Sequence, residues 1–222
     1  MSRLLLPTLL ALAVTLGGAL AAHTAAAQDA AAAQDAAAAQ DAAAAQTFLR
    51  GRHDAVKQIM QRPARTPAAI GQRKTQLTAA LGELLDYTEL AHRALGPDEA
   101  RATPAQRTEF TALLRQLVER SYQKNLESTV DYEIRYVGAA GQPTNVTVRT
   151  MARSRSNGRE PEVSIDYSMH QVGGAWRVFD VATDGVSLVR SYRDSFRRII
   201  ARDGFDALLV KLRERIATEG EL

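Results

Sequence analysis

No cysteine occurs among the 222 residues, so neither a disulfide framework nor an acylated-cysteine anchor is open to the chain, and burial of apolar side chains must supply its stability. Long apolar runs are also lacking. Beyond residue 20 no segment offers the roughly 20 consecutive apolar residues that a bilayer span requires. Neither sign of charge dominates, since 28 Lys and Arg stand against 25 Asp and Glu, a bias too weak to call for nucleic acid. Catalytic signatures are missing as well: there is no Gly-x-Ser-x-Gly elbow, no phosphate-binding glycine loop, no His-Glu-x-x-His and no thiol nucleophile. The histidines His23, His53, His92 and His170 are isolated, with no two at metal-ligand spacing. The chain reads as a non-enzyme with no cofactor and no metal.

What is present begins with an export signal. Arg3 precedes an apolar run from Leu4 to Leu20 that is interrupted by Pro7 and Gly17-Gly18. Small residues follow at Ala19-Leu20-Ala21 and Ala25-Ala26-Ala27, which suits a cleaved signal peptide rather than a span. Cleavage is expected after Ala27, leaving 27 basic and 25 acidic residues and a soluble exported protein. Residues 28–45 are three copies of Gln-Asp-Ala-Ala-Ala-Ala. With no apolar residue larger than alanine and a period that does not match a helical face, this stretch reads as a spacer that adds nothing to a core. The folded domain is then 46–222.

Within that domain, end signals place helices first. One runs from about Thr47 to Arg62 and stops at Pro63. Thr66-Pro67 opens the next, carrying Ile70, Leu77, Leu81 and Leu84. Asp86 and Glu89 have capping-box spacing ahead of a short helix ending at Gly96-Pro97. Thr103, Pro104 and Gln106 repeat the start signal for a helix with Phe110, Leu113, Leu114, Leu117 and Val118 on one face. Four strand-like runs follow, at about 128–137, 145–153, 162–172 and 175–184, separated by Gly138 to Gly141, Asn157-Gly158 and Gly173-Gly174. Val130, Ile134 and Tyr136 alternate with Asp131, Glu133 and Arg135, while Val163, Ile165, Tyr167 and Met169 alternate with Ser164, Asp166 and Ser168. One face is dry and the other wet. Two helices close the chain, with stripes at Val189, Tyr192, Phe196, Ile199 and Ile200 and at Phe205, Leu208, Leu209, Leu212 and Ile216. The expected class is α+β: an antiparallel sheet of about four strands with helices on its dry face, whose large apolar side chains suit a dense core and a ligand cavity equally.

The acids give little chemistry. Asp131 and Glu133, with Asp166 nearby, could act as an acid and base pair, but the alternation assigns them to the wet face. Asp180 interrupts the apolar run Trp176 to Ala182 and needs a partner if buried, most simply backbone amides or an arginine, with a binding role at the pocket mouth as the alternative. Asn145-Val146-Thr147 fits a glycosylation acceptor but reads as an ordinary strand start. Arg153, Arg155 and Arg159 flank a turn, where they are either a solvated hairpin tip or a contact for anionic head groups.

Three stretches carry a resemblance. The first is Ala94-Leu95-Gly96 followed by Ala102-Thr103-Pro104-Ala105-Gln106-Arg107 and Phe110; the second is Trp176-Arg177-Val178-Phe179-Asp180-Val181 leading into Gly185-Val186-Ser187-Leu188-Val189; the third is Ser191-Tyr192-Arg193 through Phe196, with Gly204-Phe205-Asp206-Ala207-Leu208 after it. In order and spacing they resemble the MlaC, or toluene-tolerance, family of periplasmic phospholipid-binding proteins, from about residue 48 to 217. Pro97-Asp98-Glu99-Ala100 departs from the family, whose members usually carry aromatic residues there. The resemblance implies a twisted sheet and surrounding helices enclosing a deep apolar pocket for acyl tails with the head group near solvent. It also implies an inner-membrane MCE-domain ABC transporter and an outer-membrane lipoprotein complex as partners, and a role in outer-membrane lipid asymmetry.

Inward facing and chain order nominate the pocket lining. From the strands these are Val130, Ile134, Val163, Ile165, Tyr167, Phe179 and Val181; from the helices, Leu81, Leu85, Phe110, Leu114, Leu117, Tyr192 and Phe196. A carrier of another apolar lipid such as a hopanoid, a non-catalytic adaptor with a filled core, and a small enzyme with titratable groups in its pocket are the competing readings.

Overall fold

A computed structural model describes residues 17–129, 132–142, 145–155 and 160–220. The signal residues 1–16, Val130, Asp131, the Asn157-Gly158 turn and Arg159 lie outside them. Helix α1 spans Gly17–Gln61, α2 Pro67–Leu84, α3 Tyr87–Leu95 and α4 Pro104–Thr129, with a 3-10 turn at Gly96–Arg101 between the last two. The strands β1 (Tyr132–Gln142), β2 (Asn145–Ser154), β3 (Val163–Val172), β4 (Ala175–Thr183) and the two-residue β5 (Val186–Ser187) follow, and then α5 (Leu188–Asp203) and α6 (Phe205–Gly220). The sheet is an antiparallel meander in the order β1-β2-β3-β4-β5. No helix among the described residues is long and apolar enough to cross a membrane.

The helix starts are made by the residues that signal them. Thr66 Oγ1 accepts from the Ala69 amide. Thr103 and Gln106 exchange both capping bonds, at 3.2 and 2.9 Å. Asp86 Oδ1 accepts from the amides of Thr88 and Glu89, both at 3.0 Å, and its Oδ2 meets His170 Nε2 at 2.9 Å. The Asp86 amide donates to Val178 O at 2.9 Å, so one residue starts α3 and ties it to β4. Asp86→Ala is expected to cost about 1–2 kcal/mol, read as a lower urea midpoint with an unchanged slope.

Three expectations change. The helix α4 runs through Ser128 to Thr129, so β1 starts later than its alternation suggested. Gly138 to Gly141 are not a turn: β1 bulges between Tyr136 and Gly138, then continues to Gln142 opposite Asn145. Glycine is needed at 141, where a Cβ would lie 2.2 Å from Asn145 O. The spacer is also not idle. It is helical and continuous with the rest of α1, and Ala42 and Ala45 are buried at 5 and 0 % exposure beside Leu49. Their spacing of three and four residues makes a face, and small side chains let the helix approach the sheet closely.

The apolar interior has two parts. One joins α3, α4, α5 and α6 through residues such as Leu90, Phe110, Leu114, Phe196 and Leu208. The other joins Ala42, Ala45 and Leu49 of α1 to Val146, Val148, Met169 and Val178 on the inner face of the sheet. Leu85 packs against both. On the outer face Arg135 Nη2 pairs with Glu162 Oε2 at 3.0 Å, and Glu133 lies opposite Arg153 and Arg149 opposite Asp166, which is a solvated surface.

Candidate functional site: a cavity between the sheet and the helices

The two cores do not meet everywhere, and the gap between them is a cavity of about 700 Å³, inside the roughly 300–1,000 Å³ usual for ligand pockets. Leu81, Leu84 and Leu85 at the end of α2, with Leu90 of α3, form one apolar wall. Ile134, Ile165, Val178 and Val181 of the sheet form the opposite one. Val118 and Tyr122 of α4 and Leu188 and Tyr192 at the start of α5 close the sides. A polar rim, which the sequence reading did not foresee, comes from α1: Arg50, Asp54 and Lys57 are exposed at the opening with Glu133 and Arg155.

Seven of the nominated residues line this cavity: Leu81, Leu85, Ile134, Ile165, Tyr167, Val181 and Tyr192. Phe110, Leu114, Leu117 and Phe196 do not. They fill the helical core instead, because α4 turns the 110–114–117 stripe toward α3, α5 and α6 and presents Val118, Ser121 and Tyr122 to the cavity. Phe179 is displaced by a bulge, in which Ser168 pairs with Asp180 and Met169 with Val178. The extra residue packs on His170, ring centroids 5.1 Å apart, under the Arg93 guanidinium at 4.0 Å. Val163 sits opposite Ala152 near the end of the sheet and is not part of the wall. Asp180 touches the cavity, but its carboxylate is occupied: Oδ1 accepts from the Val189 amide at 3.0 Å and Oδ2 from Ser187 Oγ, so it secures the start of α5. Arg155 reaches the rim, whereas Arg153 stays on the outer face.

Below the rim, His53 is inside the cavity. Its Nδ1 is 2.8 Å from Tyr136 Oη, and its ring meets the edge of Tyr167 with centroids 5.3 Å apart. Burial lowers its pKa to about 4, against a smaller opposing pull from Asp54. Because the folded value lies below the unfolded value of 6.5, the unfolded chain binds a proton first, and stability is lost as pH falls from 6.5 toward 4. The penalty grows to about 3 kcal/mol. A stability-versus-pH curve should therefore droop in that window for the protein and flatten there for His53→Phe.

The sequence from residue 51 to 214 matches the family model described as MlaC protein. The chain belongs to the MlaC family. A solved structure with the same fold is the phospholipid-binding protein from Ralstonia solanacearum in complex with a phospholipid. It is 24% identical, covers 80% of this chain and 99% of its own, and superposes with a TM-score of 0.65. The MlaC match spans α1 from Gly51 to Glu214 of α6, and so includes every cavity-lining element while leaving the alanine repeat outside.

Proposed function

We propose that this chain is an exported, non-catalytic carrier that takes up a phospholipid by its acyl tails and passes it between the inner and outer membranes. In this reading residues 1–27 are removed on export. The carrier is the soluble component of an MCE-domain ABC transport system that maintains outer-membrane asymmetry, with an outer-membrane lipoprotein complex as its other partner. The observation that carries the reading is the cavity itself: largely apolar between the sheet and α2, with its charged side chains at the rim apart from Asp180, whose carboxylate is taken up by the start of α5, in a fold that holds a phospholipid in the Ralstonia protein.

The physics suits a carrier. Each methylene removed from water is worth about 0.8 kcal/mol, so two long chains represent roughly 20 kcal/mol gross. Release into water would be too slow to be useful, and exchange in contact with a partner avoids that barrier. The acids and bases at the cavity support a non-catalytic role, since Asp180 is committed to α5 and His53 is held neutral beside Tyr136. The test is transfer of labelled phosphatidylglycerol from donor vesicles to acceptor vesicles separated by a dialysis membrane that passes the protein. Catalytic amounts of the chain should accelerate transfer with no change in the lipid's mass; no acceleration, or a hydrolysed lipid, contradicts the proposal.

A further inference from the structure

Five of the six tyrosines in the sequence, Tyr122, Tyr132, Tyr136, Tyr167 and Tyr192, line the one cavity. An apolar container does not need hydroxyls, and a tyrosine hydroxyl inside a protein usually has a partner. Two of these tyrosines meet His53 from different strands, Tyr136 of β1 by hydrogen bond and Tyr167 of β3 by ring contact, while Tyr122 of α4 lines the same cavity near enough to Tyr167 to interact with it electrostatically. Tyr136 is committed to His53 on one side and lies under the Arg50 guanidinium, 4.3 Å from the ring centre. Among the described residues the hydroxyls of Tyr122 and Tyr167 make no hydrogen bond, and neither is sealed from solvent as an orphan. Both residues line the cavity.

The placement is informative. His53 lies between Arg50 and Lys57 on the same face of α1, three and four residues from them, so the cluster sits just inside the charged rim. A lipid with its phosphate at the rim and its tails against Leu81 and Ile165 would bring the junction between head and tails to this depth. In an ester-linked lipid that junction carries carbonyl oxygens, which accept hydrogen bonds and donate none. We propose that Tyr122, Tyr167 and His53 form a hydrogen-bonding subsite for those carbonyls, so that the cavity selects ester-linked lipids over carbonyl-free lipids of the same shape. Burial raises the pKa of Tyr122 to about 12 and that of Tyr167 further, so both remain donors at any physiological pH. With Nδ1 engaged by Tyr136, Nε2 is the imidazole nitrogen that remains for a ligand.

This inference rests on the carrier reading, and one experiment separates the two. Delipidated full-length protein is incubated with vesicles containing equal amounts of diacyl phosphatidylglycerol and its dialkyl ether analogue of matched chain length, and the bound lipids are counted by native mass spectrometry. Two hydrogen bonds to the carbonyls predict a preference of about tenfold for the diacyl lipid. Tyr122→Phe with Tyr167→Phe, which keeps both rings, should lower the ratio severalfold, to what His53 alone supports, while total occupancy holds. Equal uptake of both lipids by the unmodified protein, or an unchanged preference in the double variant, overturns the inference and leaves the carrier reading standing. Uptake of neither lipid overturns the carrier reading and this inference with it.

Discussion

Replacing Ile134 and Ile165 together by tryptophan is expected to lower phospholipid uptake about a hundredfold while the protein remains folded. Both side chains line the cavity, one from the edge strand β1 and one from β3, and both are only partly buried. Two indole rings placed there occupy space that a tail would otherwise fill. Displacing about four methylenes forfeits about 3 kcal/mol at 0.8 kcal/mol each, or about two powers of ten in affinity. In a filled core the same enlargement would strain the packing by about 1–3 kcal/mol or more, and here the cavity offers room for the rings. Uptake from vesicles and a thermal melt, run side by side, read the two effects. Full uptake by the double variant would mean that the tails lie elsewhere.

Phe110→Ala should do the opposite, damaging the fold and sparing the cavity. Phe110 is 0 % exposed, and its ring meets those of Phe196 and Phe205 edge-on, with centroids 5.4 and 6.2 Å away. Truncating such a side chain costs about 3–5 kcal/mol, a large fraction of the roughly 5–15 kcal/mol that keeps a domain folded. The urea midpoint should fall steeply. Lipid bound per folded molecule should stay as in the unmodified protein, because no Phe110 atom faces the cavity. A selective loss of lipid with unchanged stability would move Phe110 from the core to the wall.

These two substitutions mark what the sequence could and could not reveal. The helix starts at Thr66, Asp86 and Thr103 were readable because capping is local chemistry, settled within four residues. The closing stripes of α5 and α6 were readable because their period points to one side, and Val189, Phe196, Ile200, Leu208 and Leu212 are all buried. The strand starting near residue 128 was misplaced because alternation and helical continuation both fit a short polar stretch. Gly138 to Gly141 read as a turn because a bulge also calls on glycine, and only the pairing with β2 decides between them.

The cavity was the harder part. Phe110 and Val118 are both buried apolar residues of α4, yet only Val118 also reaches the cavity wall, a difference of rotation about the helix axis that depends on where α3, α5 and α6 lie. His53 looked isolated because its partners Tyr136 and Tyr167 come from strands far along the chain. The signal available was compositional: tyrosines recur on the inward positions of β1 and β3. The burial of Ala42 and Ala45 had no signal beyond their spacing, since alanine in a repeat is the same residue whether it packs or not.

The carrier account stands most directly on whether the cavity is occupied. The full chain, exported to a bacterial periplasm and purified without detergent, is analysed by native mass spectrometry, and the bound material is then extracted and identified. The account predicts a mass one phospholipid above the polypeptide for most molecules, with the adduct lost in the Ile134→Trp/Ile165→Trp variant. A bare polypeptide mass that does not change on incubation with phospholipid vesicles would contradict it, and an adduct identified as a lipid without a phosphate would assign the cavity to a different cargo.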